Sequence, residues 1–242
     1  MNLQAAIEPP LKQIVAMGGG GWSMEPNNPL LDWYIYKLSD KAEPKICFLP
    51  TASGDAAAYI DRFYQQFIPQ PALLTHLSLF KPHTADIRSF ILEQDIIYVG
   101  GGNTKNLLAL WREWGLDKIL RAAWERGVIL SGLSAGSICW FAAGLTDSIP
   151  GKYTILPALG LLEASNCPHY DGEADRRPVY HSLVARGAIA NGYAVDDGVG
   201  LHFVGQKLQN IVASRQEARA YLVENHQGQV KETPLQTQYL GN

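Results

Sequence analysis

The chain has 242 residues, of which 47% are hydrophobic and 18% are charged, and its formal net charge is −3. This length and composition predict one globular domain over residues 1–242 with a sizeable core, and they exclude an intrinsically disordered chain. Because the chain is slightly acidic and has no run of lysine or arginine, we expect no nucleic-acid partner.

The three cysteines, Cys47, Cys139 and Cys167, are far apart and form no C-x-x-C pair. They predict neither a disulfide framework nor a metal site, and a reducing, cytoplasmic setting fits them best. The N-terminus has no basic start and no long apolar core, so it predicts no signal peptide. Residues 127–146 carry no charge over a transmembrane length, but their four glycines and four hydroxyl side chains predict a strand, a turn and a helix. We therefore expect no membrane span.

Short apolar runs alternate with helical patterns over the first part of the chain. The predicted strands are Gln13–Met17, Lys45–Leu49, Leu73–Leu77, Asp95–Val99 and Gly127–Ser131. The predicted helices are Pro29–Leu38, Asp55–Phe67, Ile87–Gln94, 104–113, 117–126 and Ala135–Ala143. This alternation predicts an α/β three-layer sandwich with a largely parallel central sheet. Glycine-rich and hydroxyl-rich loops follow residues 17, 49 and 99, and the carboxyl ends of parallel strands are where binding sites gather.

The character of the chain changes beyond residue 150. Residues Arg177–Arg186 predict a short helix, and the remaining apolar runs are short and separated by turns. The strands predicted there are Gly192–Val195, Leu201–Val204, Leu208–Ala213 and Ala220–Val223. This part of the chain predicts a mixed or antiparallel extension of the sheet.

Ser134 lies in the sequence GLSAG at 132–136, between a predicted strand and a predicted helix. This is the layout of a nucleophile elbow, in which a sharp turn exposes the serine hydroxyl. Gly132 and Gly136 meet the need for small residues where backbones pass closely. A capping serine at a strand-to-helix turn is the structural alternative. The amides of the following helix would favour negative charge near the serine oxygen.

A serine nucleophile needs a base, and the chain has six histidines. His169 follows Pro168 in a polar loop suited to holding an imidazole, and we favour it over His202, which alternates with apolar neighbours in a strand. The base needs an orienting acid, for which Asp197 and Asp147 are rivals.

An oxyanion needs two backbone donors. The amide of Ala135 directly follows the candidate nucleophile, and the bare backbone of Gly101 and Gly102 fits the second donor. The runs at Gly18–Gly21 and Gly100–Gly102 lack the spacing of nucleotide-binding motifs.

Four motifs occur in order, namely VGGGNT at 99–104, GLSAG at 132–136, CPHY at 167–170 and VDDG at 195–198. Together they resemble peptidase E, the α-aspartyl dipeptidase family, a serine-peptidase branch of the class I glutamine-amidotransferase-like fold with cyanophycinases as relatives. The resemblance runs from about residue 13 to residue 213.

The resemblance implies a triad of Ser134, His169 and an acid. Asp197 stands where the family has a glutamate, and Asp147 is the second choice. Gly101 and Ala135 would be the oxyanion donors, with Gly102 and Asn103 in the substrate-binding loop.

The same resemblance implies cleavage of dipeptides with N-terminal aspartate, whose carboxylate Arg176 would bind. The loop from His169 to Arg176 is shorter here than in the family. It further implies no cofactor and no metal.

Three alternatives stay open from the sequence. A cyanophycinase-like exopeptidase would use the same residues. An α/β-hydrolase-type esterase would instead place its acid before its histidine and use His202 or His226 after Asp171 or Asp197. A non-catalytic amidotransferase-like domain would bind a ligand without covalent chemistry. The expected partner is a short peptide substrate, with a homo-oligomer possible.

Overall fold

The structure is a computed structural model that describes residues 10–67 and 71–241. The prediction that the N-terminus is no signal peptide falls largely on residues 1–9, which lie outside the described residues. Within the described ranges, every helix is too short or too polar to cross a bilayer.

The central sheet has eight strands, and its middle is parallel as the alternation predicts. The parallel strands, in their order across the sheet, are β1 (Gln13–Met17), β5 (Ile129–Leu133), β4 (Ile96–Val99), β2 (Lys45–Leu49) and β3 (Leu73–His76). Strands β10 (Val199–Val204) and β11 (Lys207–Ala213) extend the sheet antiparallel beyond β1, and β14 (Gln238–Tyr239) pairs with β11 at the edge.

Helices cover both faces of this sheet, because its strands are apolar on both sides. Successive residues of β1 show this: Ile14 and Ala16 belong to one buried cluster, whereas Val15 and Met17 belong to another. The Val15 side is covered by α1 (Gly21–Met24), α2 (Leu30–Lys37) and α3 (Ala57–Phe67). The Ile14 side is covered by α4 (Ile87–Leu92), α5 (Thr104–Glu113) and α6 (Leu116–Glu125). The predicted three-layer α/β arrangement with a largely parallel sheet is confirmed.

A second sheet of six strands is the feature that the sequence analysis missed. Its strands, in spatial order, are β13 (Gln229–Leu235), β12 (Ala220–His226), β9 (Gly192–Val195), β8 (Leu162–Cys167), β6 (Phe141–Ile149) and β7 (Lys152–Pro157). Helix α8 (Arg176–Ala185) packs on it through Tyr180 and Val184. The predicted extension of the central sheet is therefore limited to β10, β11 and β14, and the predicted strands at 192–195 and 220–223 belong to the second sheet.

The helix predicted over Ala135–Ala143 is also shorter than expected. Helix α7 spans only Ala135–Ile138, and the chain enters β6 at Phe141. Strand β6 pairs with β7 and β8, and Phe141 is fully buried. The alanine-rich stretch has helical propensity on its own, but pairing with two strands decides its conformation.

Candidate active site

Ser134 has the strained geometry of the turn that its sequence predicts. It follows β5, precedes α7 and has φ 55° and ψ −115°. A residue with a side chain in the left-handed region costs about 1–2 kcal/mol, so the surrounding structure must hold it there. Part of that hold is the Ser134 amide, which donates to the carbonyl of Met17 at 3.2 Å.

The glycines on either side of Ser134 are required by close backbone packing. A Cβ built on Gly136 would lie 2.3 Å from the carbonyl oxygen of Val99, and one on Gly132 would lie 2.4 Å from that of Gly136. Neither clash involves a side chain that could move away. The turn thus packs against the end of β4 only if both positions are glycine.

His169 and Asp197 are brought together by two parallel strands of the second sheet. Strand β8 ends at Cys167 and β9 at Val195, and Cys167 is in register with Ala194. Each candidate residue lies two positions beyond its strand, so the two side chains emerge at the same edge. The Nδ1 atom of His169 is 2.6 Å from Oδ1 of Asp197. Asp171 ties the loops further, because its Oδ1 accepts the Asp197 amide at 2.8 Å.

The charge on Asp197 fixes the tautomer of the imidazole. Burial of the carboxyl favours its neutral form, but the hydrogen bond and charge of His169, with the charges of Arg215 and Arg176, outweigh burial and lower the pKa of Asp197 below its usual value. An ionised carboxylate only accepts hydrogen bonds, so Nδ1 of His169 must carry the proton. The Nε2 atom is then the nitrogen left to act as a base.

Ser134 and His169 line one open cavity of about 350 Å³. The other lining residues are Gly102, Asn103, Asp147, Ser148 and Glu173. Five residues predicted from the sequence thus meet at one place, whereas Ser148 and Glu173 were not anticipated. The Ser134 hydroxyl has no hydrogen-bond partner among the described residues. Catalytic hydrogen bonds are often long without substrate and close when it binds.

The two candidate oxyanion donors differ in their present partners. Ala135 begins α7, and its amide has no acceptor within residues 10–67 and 71–241. The amide of Gly101 donates to the hydroxyl of Tyr59 at 3.2 Å, and that hydroxyl also bonds Ser23 at 2.7 Å. Gly101 is nevertheless beside the nucleophile, since a Cβ on it would lie 3.3 Å from the Cβ of Ser134. Nothing in the sequence pointed to Tyr59.

Asn103 lines the cavity while serving two structural roles. Its Oδ1 accepts the Asn106 amide at 3.0 Å and so caps α5, and its Nδ2 donates to the carbonyl of Ser148 at 2.9 Å. Each end of the side-chain amide therefore has one partner within the chain. One N–H of Nδ2 and one lone pair of Oδ1 are left for a substrate.

Arg176 lies beside the cavity, but its guanidinium is already occupied. It is 2% exposed, and its Nε and Nη2 donate to the two oxygens of Glu173 at 2.9 and 3.0 Å. Asp147, the alternative acid, approaches Nη2 of Arg176 at 3.6 Å and has no contact with His169. Glu173 and Arg176 are three residues apart in the turn that leads into α8, where the Arg176 amide also donates to the Glu173 carbonyl at 3.0 Å.

The histidines of the esterase alternative lie elsewhere. His202 is buried in β10, with Nδ1 bonded to Tyr34 at 2.7 Å and Nε2 to Gln13 at 3.1 Å. His226 ends β12 with 58% of its side chain exposed. Neither lines the cavity that contains Ser134.

The glycine run at 18–21 packs against the acid of the candidate triad. The carbonyl of Gly19 accepts the Gly198 amide at 3.1 Å, and a Cβ on Gly19 would lie 2.1 Å from Oδ1 of Asp197. The run therefore brings the loop after β1 against the loop after β9. Among the described residues, no group of three or more His, Cys, Asp or Glu side chains is placed to hold a metal ion.

Comparison with known proteins shows the family to which this chain belongs. Residues 14–211 match the profile of peptidase family S51, and the chain belongs to that family of peptidases. It is 56% identical over 231 residues to the uncharacterized peptidase YgaJ of Bacillus subtilis (strain 168), covering 96% of this chain and 100% of the relative. It is 27% identical over 188 residues to peptidase E of Pasteurella multocida (strain Pm70), covering 73% of this chain and 79% of that protein.

Solved structures support the fold. A peptidase from an acI-B1 Actinobacterium superposes with a TM-score of 0.71 at 16% identity, covering 94% of this chain and 95% of the other. A putative peptidase E from Listeria monocytogenes EGD-e superposes with a TM-score of 0.59 at 17% identity, covering 93% of this chain and 100% of the other. At these identities the likeness concerns the fold alone.

Proposed function

We propose that this peptidase is a serine-type enzyme that hydrolyses short peptides through an acyl-enzyme on Ser134. One observation carries the proposal: a strained serine faces the same cavity as an imidazole whose Nδ1 is held by a carboxylate at 2.6 Å. A serine hydroxyl is a weak nucleophile until a positioned base removes its proton, and His169 with Asp197 has the parts for that task.

In the first half of the reaction, Nε2 of His169 takes the proton of Ser134 as Oγ attacks the scissile carbonyl carbon. The resulting oxyanion lies near the start of α7, where the Ala135 amide has no other acceptor in the described structure. The Gly101 amide would be the second donor, exchanging Tyr59 for the oxyanion. The tetrahedral intermediate then breaks its C–N bond, and His169 gives its proton to the leaving amine.

In the second half, water attacks the ester carbon of the acyl-enzyme while His169 takes a proton from it. Collapse of this second tetrahedral intermediate breaks the bond between the ester carbon and Oγ. The proton returns from His169 to Ser134 Oγ, and the product leaves as a carboxylic acid that loses its proton to solvent. Asp197 remains ionised throughout and stabilises the imidazolium that forms in each half.

Geometry favours this proposal over the esterase alternative. That alternative needs His202 or His226 as the base, and neither lines the cavity with Ser134. His202 has both ring nitrogens engaged, by Tyr34 and Gln13. A cyanophycinase-like exopeptidase is a variant of the same mechanism and differs only in its peptide.

The resemblance to peptidase E would add a preference for N-terminal aspartate. The occupied fork disfavours that preference, because the Nε and Nη2 atoms of Arg176 that would bind the aspartate already donate to Glu173. We also propose a cytoplasmic setting, which is supported by three buried cysteines that form no disulfide.

The proposal is tested by labelling with a fluorophosphonate and by hydrolysis of a dipeptide panel. We expect wild type to be labelled at Ser134 and Ser134→Ala to lose both labelling and at least about 10³-fold in hydrolysis. The matched control is Ser137→Ala, which removes a buried hydroxyl of the same short helix that does not line the cavity. Labelling that persists in Ser134→Ala, or cleavage that ignores the substitution, would contradict the proposal.

A further inference from the structure

Arg176, the buried arginine beside the cavity, already binds a carboxylate of its own chain. Two nitrogens of Arg176 donate to the two oxygens of Glu173, and the Tyr153 hydroxyl donates to the same carboxylate at 2.7 Å. The guanidinium also stacks over the Tyr153 ring, 5.2 Å from its centroid. Three donors and a stacked ring hold the Glu173 carboxylate on Nε and Nη2 of Arg176, the two nitrogens that form the fork. Moving Glu173 out of this fork would break all three hydrogen bonds.

Glu173 occupies the two donors of Arg176 that a substrate carboxylate would need. Paired N–H groups of a guanidinium bind a carboxylate through two parallel hydrogen bonds, and here both are made within the chain. The remaining Nη1 donates to the carbonyl of Leu145 at 3.4 Å. These bonds use three of the five N–H groups of Arg176, and Nη2 also lies 3.6 Å from Oδ1 of Asp147, so the fork formed by Nε and Nη2 is not free for a substrate.

The charge that faces the cavity is negative rather than positive. Glu173 and Asp147 both line the cavity, and Asp147 is 66% exposed and 3.6 Å from Arg176. The carboxylates of Glu173 and Asp147 outnumber the single guanidinium of Arg176, which leaves one excess negative charge at this end of the cavity. The neighbouring Asn103 and Ser148 side chains are neutral, so they do not offset it.

We propose that Glu173 is a specificity-determining residue. By filling the Arg176 fork it makes this end of the cavity reject an acidic substrate residue and accept a neutral or basic one. This inference rests on the proposed function, because the cavity is a substrate site only if Ser134 acts there. Removal of the Glu173 carboxylate converts the same subsite into one that binds an acidic residue.

The test compares two dipeptides that differ in charge but hardly in shape, Asp-Leu and Asn-Leu, with Lys-Leu as the basic member. For wild type we expect kcat/KM for Asn-Leu and Lys-Leu to exceed that for Asp-Leu by at least about tenfold. In Glu173→Ala we expect the ratio of kcat/KM for Asp-Leu to kcat/KM for Asn-Leu to rise by at least about tenfold. The rise should be smaller in Glu173→Gln, which keeps one acceptor oxygen.

The matched control is Asp175→Asn, which removes an exposed carboxylate from the same loop without touching the cavity. This substitution should leave the ratio of kcat/KM for Asp-Leu and Asn-Leu at the wild-type value. A wild type that prefers Asp-Leu, or a ratio that Glu173→Ala leaves unchanged, would overturn the inference.

A second measurement does not depend on hydrolysis. Glu173→Ala leaves a buried guanidinium without its partner, and free acetate should enter the fork. We expect acetate to raise the melting temperature of Glu173→Ala relative to chloride at equal ionic strength, and to have no such effect on wild type. An equal response of both proteins would overturn the assignment of the fork. If no dipeptide were cleaved in a Ser134-dependent way, the proposed function and the specificity would both fail, while acetate would still report on the fork.

Discussion

Asp197 has one carboxylate oxygen on the His169 ring and its backbone amide on Asp171, so Asp197→Asn changes the charge at this contact with little change in shape. The asparagine amide can present N–H to Nδ1, which then accepts and shifts the imidazole proton to Nε2. A base protonated at Nε2 cannot take the Ser134 proton, so we expect kcat to fall by about 10³- to 10⁴-fold.

The comparison variant for this prediction is Asp147→Asn. Its carboxylate contacts Arg176 and not the imidazole, so we expect kcat to fall by no more than about tenfold. Steady-state kinetics on one neutral dipeptide measures both variants. If Asp147→Asn proved the more damaging, the orienting acid would have been assigned to the wrong residue.

Gly19 is the second single residue on which the site depends, although it has no side chain. Its added methyl in Gly19→Ala would lie 2.1 Å from Oδ1 of Asp197, the oxygen bonded to His169. We expect the carboxylate to move and kcat to fall by about 10²-fold or more, since small misplacements of catalytic groups are costly.

Gly200→Ala is the control for Gly19→Ala. A Cβ on Gly200 would have its nearest neighbour at 3.4 Å, an ordinary contact, so activity should stay near that of wild type. The ring-proton chemical shifts of His169, measured by NMR in both variants, would report whether the Asp197 contact is lost. A Gly19→Ala enzyme with normal kinetics and normal shifts would remove Gly19 from the positioning of Asp197.

At the scale of elements, the hairpin of β12 and β13 supports the loop that carries His169. Glu232 on β13 accepts a hydrogen bond from the Tyr170 hydroxyl at 2.5 Å, contacts Nε2 of His181 at 2.8 Å and pairs with Arg177. Burial opposes ionisation of this carboxyl, but hydrogen bonds from Tyr170, His181 and Arg177 outweigh it and lower the pKa of Glu232. This hairpin lies beyond residues 14–211, the part matched by the family profile.

Loss of the Glu232 charge should therefore loosen the catalytic loop. For Glu232→Gln we expect the free energy of unfolding to fall by about 1–3 kcal/mol and kcat to fall several-fold. Denaturant unfolding and steady-state kinetics measure the two effects. Glu224→Gln on the neighbouring strand is the control, since its 3.9 Å pair with the exposed His226 should contribute about 0.5 kcal/mol or less. Equal effects of the two substitutions would show that the hairpin network does not hold the loop.

The elements differed in how far the sequence could predict them. Strands β1, β2 and β4 are continuous apolar runs that end in glycine-rich loops, and local pattern identifies them. Strands β6, β7 and β8 form only because they pair with one another and with β9, so their residues show no comparable pattern. The helix predicted through Ala143 failed for this reason.

For the molecule as a whole, site residues in loops marked by glycine or proline could be predicted from the sequence. Residues that act through contacts distant along the chain could not. Ser134 lies two residues from a glycine on each side and His169 directly follows Pro168, and both residue types mark turns and loops. Tyr59 reaches Gly101 from α3, 42 positions earlier, and no spacing rule connects the two. The Glu173 carboxylate could have been found from its distance to Arg176 along the chain, but its consequence for the substrate required the cavity.

The stability of the whole molecule should depend on pH through one buried carboxyl. Asp32 accepts hydrogen bonds from the Trp22 amide at 2.8 Å and the Tyr98 hydroxyl at 3.0 Å, and it anchors the segment that follows Gly18–Gly21. Burial raises the pKa of Asp32 from 3.8 to about 7, against the smaller opposing effects of these hydrogen bonds. The unfolded chain releases this proton near pH 3.8, whereas the folded chain keeps it to about pH 7.

Between these two values the folded state binds more protons than the unfolded state, so the free energy of unfolding decreases as pH rises through the window. Asp32→Asn cannot titrate, and other groups cancel when the two proteins are subtracted. The stability of wild type minus that of Asp32→Asn should fall by on the order of 3 kcal/mol between about pH 4 and pH 8. Urea unfolding across this range measures the difference, with the exposed Asp61→Asn as background. A difference that stays constant or rises with pH would mean that Asp32 is ionised in the folded protein throughout, with its charge stabilised by Trp22 and Tyr98.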